Sequence, residues 1–272
     1  MKKRKNSLDL SGKTVLVVGA TGGLGRAICA EVKNAGASLF ITSRSGKDDN
    51  IGADKVLALD LTDLDSVRKF ARDLIASGAH IDFLILNAGV IRKATETTKD
   101  GHEIHFQVNF LAQVLLAKLL LPITERVIFQ SSMSYRWVKV DWSDPEGINE
   151  TRTMKRYGKT KYLLNAAVLA LIETTDKPIV LVHPGIVKTK IIRGFPKPIK
   201  FLANLFMPLV FQSPRQGARA TIMAMSVLPP KNCWLAPSGI YEIWGKPKIK
   251  PLKGDCVDFD EQQKAIALVP NG

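Results

Sequence analysis

Cysteine is scarce in this chain of 272 residues: Cys29, Cys233 and Cys256 stand far apart and form no C-x-x-C pair. That excludes a disulfide framework and a zinc knuckle, and it fits a reducing compartment. Glycine (20) and proline (14) follow no fixed period, which excludes collagen-like and low-complexity chains. No stretch reads as the ~20 apolar residues that cross a bilayer. The amino end, MKKRKNSLDLSGK, is basic, but Asp9, Ser11 and Lys13 interrupt what would be the apolar stretch of a secretory leader. A cytoplasmic location is therefore expected.

What is present suffices for a sizeable core. Hydrophobic residues make up 46% and charged residues 24%, so apolar burial can offset the entropy of ordering the chain. Short apolar runs at Thr14–Val18, Ser38–Thr42, Val56–Leu59, Ile81–Leu86, Val127–Gln130, Ile179–Val182 and Gly239–Ile243 read as strands. Between them, helical periodicity is expected at Arg26–Ala35, Asp63–Ile75, about 100–120, about 154–174 and Arg215–Val227. Alternating strands and helices with few hairpin signals predict one α/β domain. Its sheet would be doubly wound and mostly parallel, of about seven strands, with helices on both faces. No linker-like composition divides the chain. The expected division is a basic tail at 1–12, a domain at 13–245 and a tail at 246–272.

The first strand runs into the first helix through GATGGLG, residues 19–25. Glycines there let the backbone turn tightly and approach a pyrophosphate, which free helix-start amides then hold. This strand–glycine–helix context is what a dinucleotide site requires. The second strand ends at Thr42-Ser43-Arg44-Ser45, and no acid follows until Asp48. An NAD site places an acid here for the ribose 2′-hydroxyl, whereas an arginine accommodates a 2′-phosphate. Arg44, with Ser43 donating beside it, favours NADP over NAD.

The net charge of +14 is local. Residues 1–5, 152–161, 188–200 and 246–253 hold 18 of the 39 basic residues and no acid, leaving 21 basic against 25 acidic elsewhere. An anionic cofactor and solvated tails account for this. No aromatics interleave with the lysines as on a nucleic-acid platform, so no nucleic-acid partner is expected.

These features together resemble the short-chain dehydrogenase/reductases, from about residue 11 to 245. The carriers are Gly19-Ala-Thr21-Gly22-Gly23-Leu24-Gly25, Asp60-Leu61, Asn87-Ala88-Gly89, Asn109, Ser132, Tyr157-Gly-Lys-Thr-Lys161 and His183-Pro184-Gly185, in the family's order. The run DGHEIHFQVNFLAQVLLAKLLLP at 100–122 is similar to the retinol-dehydrogenase-like branch, as is the interval of 25 residues from Ser132 to Tyr157. Val18 departs from the pattern by standing where a threonine usually precedes the glycine motif. The resemblance implies a Rossmann-type domain and an NADP-dependent oxidoreductase moving a hydride between nicotinamide and a carbonyl or alcohol carbon. It also implies that Gly19, Thr21, Gly22, Gly23, Leu24, Gly25, Asp60, Leu61, Asn87, Ala88, Gly89, Tyr157, Lys161, Pro184, Gly185, Ile186 and Thr189 bind the cofactor. Ile186 would contact the nicotinamide carboxamide through its main chain and Thr189 through its hydroxyl.

Tyr157 and Lys161, four apart on a helix, project from one face. A free phenol titrates near pH ~10, and a nearby ammonium favours the phenolate. Tyr157 can then give a proton to a nascent alkoxide or take one from an alcohol. The resemblance adds that Lys161 holds the nicotinamide ribose and that Asn109 anchors a relay water. Ser132, closing the fifth strand, would hold the substrate oxygen; Ser131 and Ser134 are the alternatives. His183 reads as packing, because Tyr157 already supplies the acid–base function, and His102 and His105 read as polar side chains facing solvent. Residues 186–212 would close over the substrate. Phe195, Phe201, Leu205, Phe206 and Met207 suggest a lipophilic carbonyl or alcohol, a dip into a membrane surface, or plain packing on the sheet. Homo-oligomers through the helices near 100–120 and 154–174 are a family habit. The competing reading is a non-catalytic NADP-binding regulator, or an RNA-binding protein, on the same fold.

Overall fold

Four consecutive buried side chains, Val15 to Val18, make Thr14–Val18 (β1) a strand covered on both faces. Burying each such side chain contributes about 1.5–3 kcal/mol. The computed structural model describes residues 8–187 and 211–271. β1 pairs in parallel with Ser38–Ser43 (β2) on one side and Ile81–Leu86 (β4) on the other, with Val15 opposite both Leu39 and Phe83. Lys55–Ala58 (β3) extends the β2 side. Thr124–Gln130 (β5), Ile179–Val182 (β6), Cys233–Pro237 (β7) and Pro247–Pro251 (β8) extend the other. The order is β3-β2-β1-β4-β5-β6-β7-β8, parallel except for β8. Strand order reverses between β1 and β4, and ligands of such sheets bind in the crevice beyond the carboxyl ends at that point.

Helices cover both faces. Gly23–Asn34 (α1) and Pro214–Ala224 (α5) pack on Val15, Val17, Leu39 and Ile41. Leu64–Ala76 (α2), the composite helix α3 (Ile104–Phe106, a π-helical turn Gln107–Leu111, then Ala112–Leu120) and Thr153–Ile172 (α4) cover the opposite face. Asp63 caps α2 as its position predicts, accepting from the amides of Asp65 (3.0 Å) and Ser66 (3.2 Å). Ser213 and Gln216 form a reciprocal capping box on α5.

The structure corrects the sequence reading at several points. The described residues form eight strands, where about seven are expected. Gly239–Ile243 is not one of them, because Ile240–Glu242 is a 3-10 turn with Tyr241 and Glu242 at positive φ. The segment 246–272 is not a tail: β8 makes a hairpin with β7, and Phe259–Ala267 (α6) packs along α4. Leu252, Cys256, Ala265 and Val269 are core residues. At the other end Leu10, expected in a tail, is also buried. Ile104–Ile123 is long and apolar enough to span a bilayer, with 20 residues of mean hydropathy 1.6, yet 72% of it is buried inside the fold. It is a core helix. Within the basic run 152–161, Arg156, Lys159 and Lys161 are all buried.

Candidate active site

The glycine turn between β1 and α1 is shaped for close approach. Gly19 has φ +86°, and a Cβ there would lie 2.6 Å from the backbone of Ala88, so the turn is pressed against the loop after β4. Asn87 locks that contact by donating from Nδ2 to the Gly19 carbonyl at 2.8 Å. Gly22 is the N-cap of α1, with neither a side-chain cap nor an acid in the first turn. A Cβ on Gly22 would meet nothing nearer than 4.0 Å. Open space therefore lies over unpaired helix-start amides, which suits a pyrophosphate. Thr21 and Gly23 are exposed in this turn, while Leu24 and buried Gly25 anchor it.

At the end of β2, Arg44 is exposed and has no partner among the described residues. Asp48, the nearest acid, closes its own loop by accepting from the amides of Gly52 and Ala53. Ser43 departs from expectation: its hydroxyl donates to the Lys47 carbonyl and accepts the Lys47 amide, both at 3.0 Å. Its proton is committed to the turn. Asp60 accepts from the Thr62 amide (2.9 Å) and hydroxyl (2.8 Å). Leu61 is buried beside it, and its carbonyl accepts from Gln107.

The three serines differ in their surroundings. Ser131 is buried and donates to Asn165 Oδ1 at 2.6 Å, facing the core. Ser132 is half-buried at the start of the Met133–Trp137 turn. Its oxygen accepts from the Ser134 amide (3.3 Å) and hydroxyl (3.1 Å), which leaves its own proton to donate. Tyr157 receives it: this hydrogen bond lowers the phenol's pKa against a larger upward push from burial. Gly158 lets α4 lie close against the segment 134–138, since a Cβ there would lie 2.8 Å from Val138 Cγ1 and 2.9 Å from the Ser134 carbonyl. Lys161 is buried, donates to the Gln130 carbonyl at 2.8 Å, and is pulled down to about 7 by burial.

Asn109 sits inside the π-helical turn. It accepts from the Val90 amide (2.7 Å) and donates to the Val90 carbonyl (3.0 Å), so it straps the loop containing Ala88 and Gly89 to α3. Three residues outside the sequence reading complete the frame. Gln113, four after Asn109 on the same helix, donates to the Ala88 carbonyl at 2.9 Å; that spacing was the available signal. Thr160 accepts weakly from Asn109 (3.4 Å) and donates to the Tyr157 carbonyl (2.8 Å). Gln212 donates to the carbonyls of Pro184 and Ile186, both at 2.8 Å, and nothing in its sequence context marks it. Ile186 differs from expectation: its amide already donates to the Ile243 carbonyl at 3.0 Å, and its carbonyl accepts from Gln212. Gly185 is buried beneath this junction. Thr189 and most of the expected substrate cover lie outside the described residues.

The histidines divide. His183 is buried, stacks on Trp234 at 5.2 Å and is pulled down to about 3 by burial, a neutral packing residue. His105 does not face solvent. It is fully buried, contacts Glu103 at 2.6 Å through Nδ1, and accepts the Arg92 amide at 2.8 Å through Nε2. His102 is half-buried against Glu146 at 2.8 Å. No metal cluster occurs among the described residues.

Sheet order, glycine turn and a serine–tyrosine–lysine set at the carboxyl ends of the strands define a dinucleotide-binding oxidoreductase. A family model described as short chain dehydrogenase matches residues 13–197. The chain is 31% identical to retinol dehydrogenase 14 of Mus musculus over 244 residues, covering 78% of this chain and 73% of that protein. It is 30% identical to polyprenol dehydrogenase of Mus musculus over 241 residues, covering 78% and 71%. An uncharacterised protein from Mycobacterium paratuberculosis shares the fold with a TM-score of 0.76 at 24% identity, covering 97% of this chain and 94% of that one. The chain belongs to the short-chain dehydrogenase family, in its retinol-dehydrogenase-like branch.

Proposed function

We propose that this dehydrogenase uses NADP(H) and acts on a lipophilic alcohol or carbonyl compound in the cytoplasm. The reading rests above all on the hydrogen-bonded Ser132–Tyr157 pair above buried Lys161, beside an open glycine cradle. The dinucleotide, when bound, supplies or accepts the hydride. Ser132 holds the substrate oxygen by turning its proton from the phenol to that oxygen, and Tyr157 gives or takes the proton there. Lys161, freed from the Gln130 carbonyl or shared with it, adds positive charge beside the phenol. Unpartnered Arg44 and the engagement of Asp48 elsewhere support NADP over NAD. The names of the relatives, retinol and polyprenol dehydrogenases, support a long apolar alcohol.

The test is turnover with NADPH and with NADH over a panel of retinoids, isoprenoid alcohols and aldehydes, steroids and small aldehydes. Preference for NADPH and for the long apolar compounds is expected. Turnover confined to small polar substrates, or equal use of both cofactors, overturns the corresponding half of the reading.

A further inference from the structure

On the far side of α4 from the catalytic tyrosine lies a second concave site. Residues on an α-helix turn by about 100° each. Lys155, Lys159 and Tyr162 thus share one face, whereas Tyr157, two positions from both lysines, points the other way. Together with the Tyr135–Lys139 segment and Lys253–Asp255 they line a cleft of about 570 Å³. Neither the glycine cradle nor Ser132, Tyr157 or Lys161 contributes to it.

Five basic side chains line this cleft: Arg136, Lys139, Lys155, Lys159 and Lys253. The acids are two, Glu150 and Asp255, and Glu150 is already paired with Arg152 at 3.0 Å. Arg136 has a partner of its own, Glu242 at 3.1 Å. The four lysines form no ion pair among the described residues. Lys159 is the informative one. It is 8% exposed, and its ammonium makes a single long hydrogen bond, 3.4 Å, to the Asp144 carbonyl. Asp141 lies within its field, but that carboxylate is bonded to the amide and hydroxyl of Ser143. Buried ammonium groups are ordinarily paired, and here the unmet charge lines a cavity with three further unpaired lysines. Trp137, 64% exposed, adds a flat apolar wall.

We propose that this cleft binds a phosphate-bearing anion at a site separate from the dinucleotide cradle, with Lys155 and Lys159 as its principal ligands. A free phosphorylated metabolite and the headgroup of an anionic lipid share this chemistry. Lysines bind either as point charges, without the planar geometry that arginine imposes.

The experiment titrates pyrophosphate calorimetrically into the full chain saturated with dinucleotide, so that the cradle is blocked. One ion per chain is expected. Affinity should fall at least about tenfold in Lys155→Gln/Lys159→Gln and stay within about twofold in Arg44→Asp. No saturable binding in the loaded protein, or equal affinity in the double variant, overturns the proposal; so does loss confined to Arg44→Asp, which would place the ion in the cradle. If the double variant does not fold, Lys139→Glu/Lys155→Glu, at more accessible positions, must weaken binding by the same measure, and unchanged affinity there overturns the proposal equally. Flotation with phosphatidic acid vesicles against phosphatidylcholine vesicles separates the sources. Co-flotation lost in the lysine variant supports the site with a lipid headgroup as ligand, and pyrophosphate binding without flotation supports it with a free anion.

Discussion

The Lys161 ammonium lies 5.9 Å from the centroid of the Tyr157 ring and donates to the Gln130 carbonyl at 2.8 Å. The group bonded to the phenol is Ser132, and burial rather than a neighbouring charge sets the direction of both pKa values. Without a bound dinucleotide the pair thus favours a neutral phenol, the proton-donating form needed for carbonyl reduction.

Tyr157→Phe removes that proton while keeping the ring. Turnover should fall by about 10²–10⁴, with dinucleotide affinity measured by fluorescence titration unchanged. Retained turnover would show that some other group moves the proton.

Lys161 links stability to pH. Below about 7 its ammonium is charged in folded and unfolded chains alike, so the burial cost is fully present. Between there and its ordinary value of 10.5 the unfolded chain alone holds the proton, so stability rises with pH. Wild type should therefore gain on Lys161→Met as pH rises from 7 toward 10 in urea unfolding. A difference independent of pH would contradict the burial argument.

Arg44→Asp places an acid where the second strand ends. KM for NADPH should rise roughly tenfold or more, the worth of a charge-assisted hydrogen bond, while KM for NADH stays level or falls. Equal changes for both cofactors would remove Arg44 from the 2′-phosphate site.

Glu103 is the counter-charge for buried Arg156, at 3.7 Å, and also contacts His105 Nδ1 at 2.6 Å. It also caps α3 through the amides of His105 and Phe106. Glu103→Ala should cost about 3–5 kcal/mol, because it leaves a buried charge uncompensated. A loss below about 1 kcal/mol by urea denaturation would show that the carbonyls bonded to Arg156 suffice.

Helix α4 is buried continuously from Gly158 to Leu171 within one chain, in part beneath α6, where Glu261 accepts from the Tyr162 hydroxyl at 2.7 Å. Pairing of two copies across α4, expected from the family, would require α6 to leave. We propose a monomer of 29.9 kDa, to be checked by light scattering; a dimer mass would sink this.

Much of the fold was legible because its signals are local. Apolar runs such as Thr14–Val18, Ile81–Leu86 and Ile179–Val182 coincide with their strands to the residue, and Asp63 marked its helix start. The hairpin of β7 and β8 was missed because CWLAP and PKIKP carry prolines and lysines that read as loop or tail. Pro247 and Pro251 are tolerated on an edge strand, where a missing amide costs no ladder bond on the open side. GHEIH read as surface because nothing local reveals that Arg156, over fifty positions away, arrives to bury it.

By itself the sequence determined most elements as far as the fifth helix, the parallel character of the sheet, the glycine turn and the chemical types at the site. These follow from periodicity, backbone freedom and the identity of side chains, which need no distant partner. Tertiary structure decided which serine faces the phenol, that Ser43 and Ile186 spend their bonding groups locally, and that the carboxy-terminal segment covers α4. It also decided which lysines are left without counter-charges. Each of these depends on where hydrogen-bonding groups and charges meet across the fold, and that is fixed by packing between segments remote in the chain.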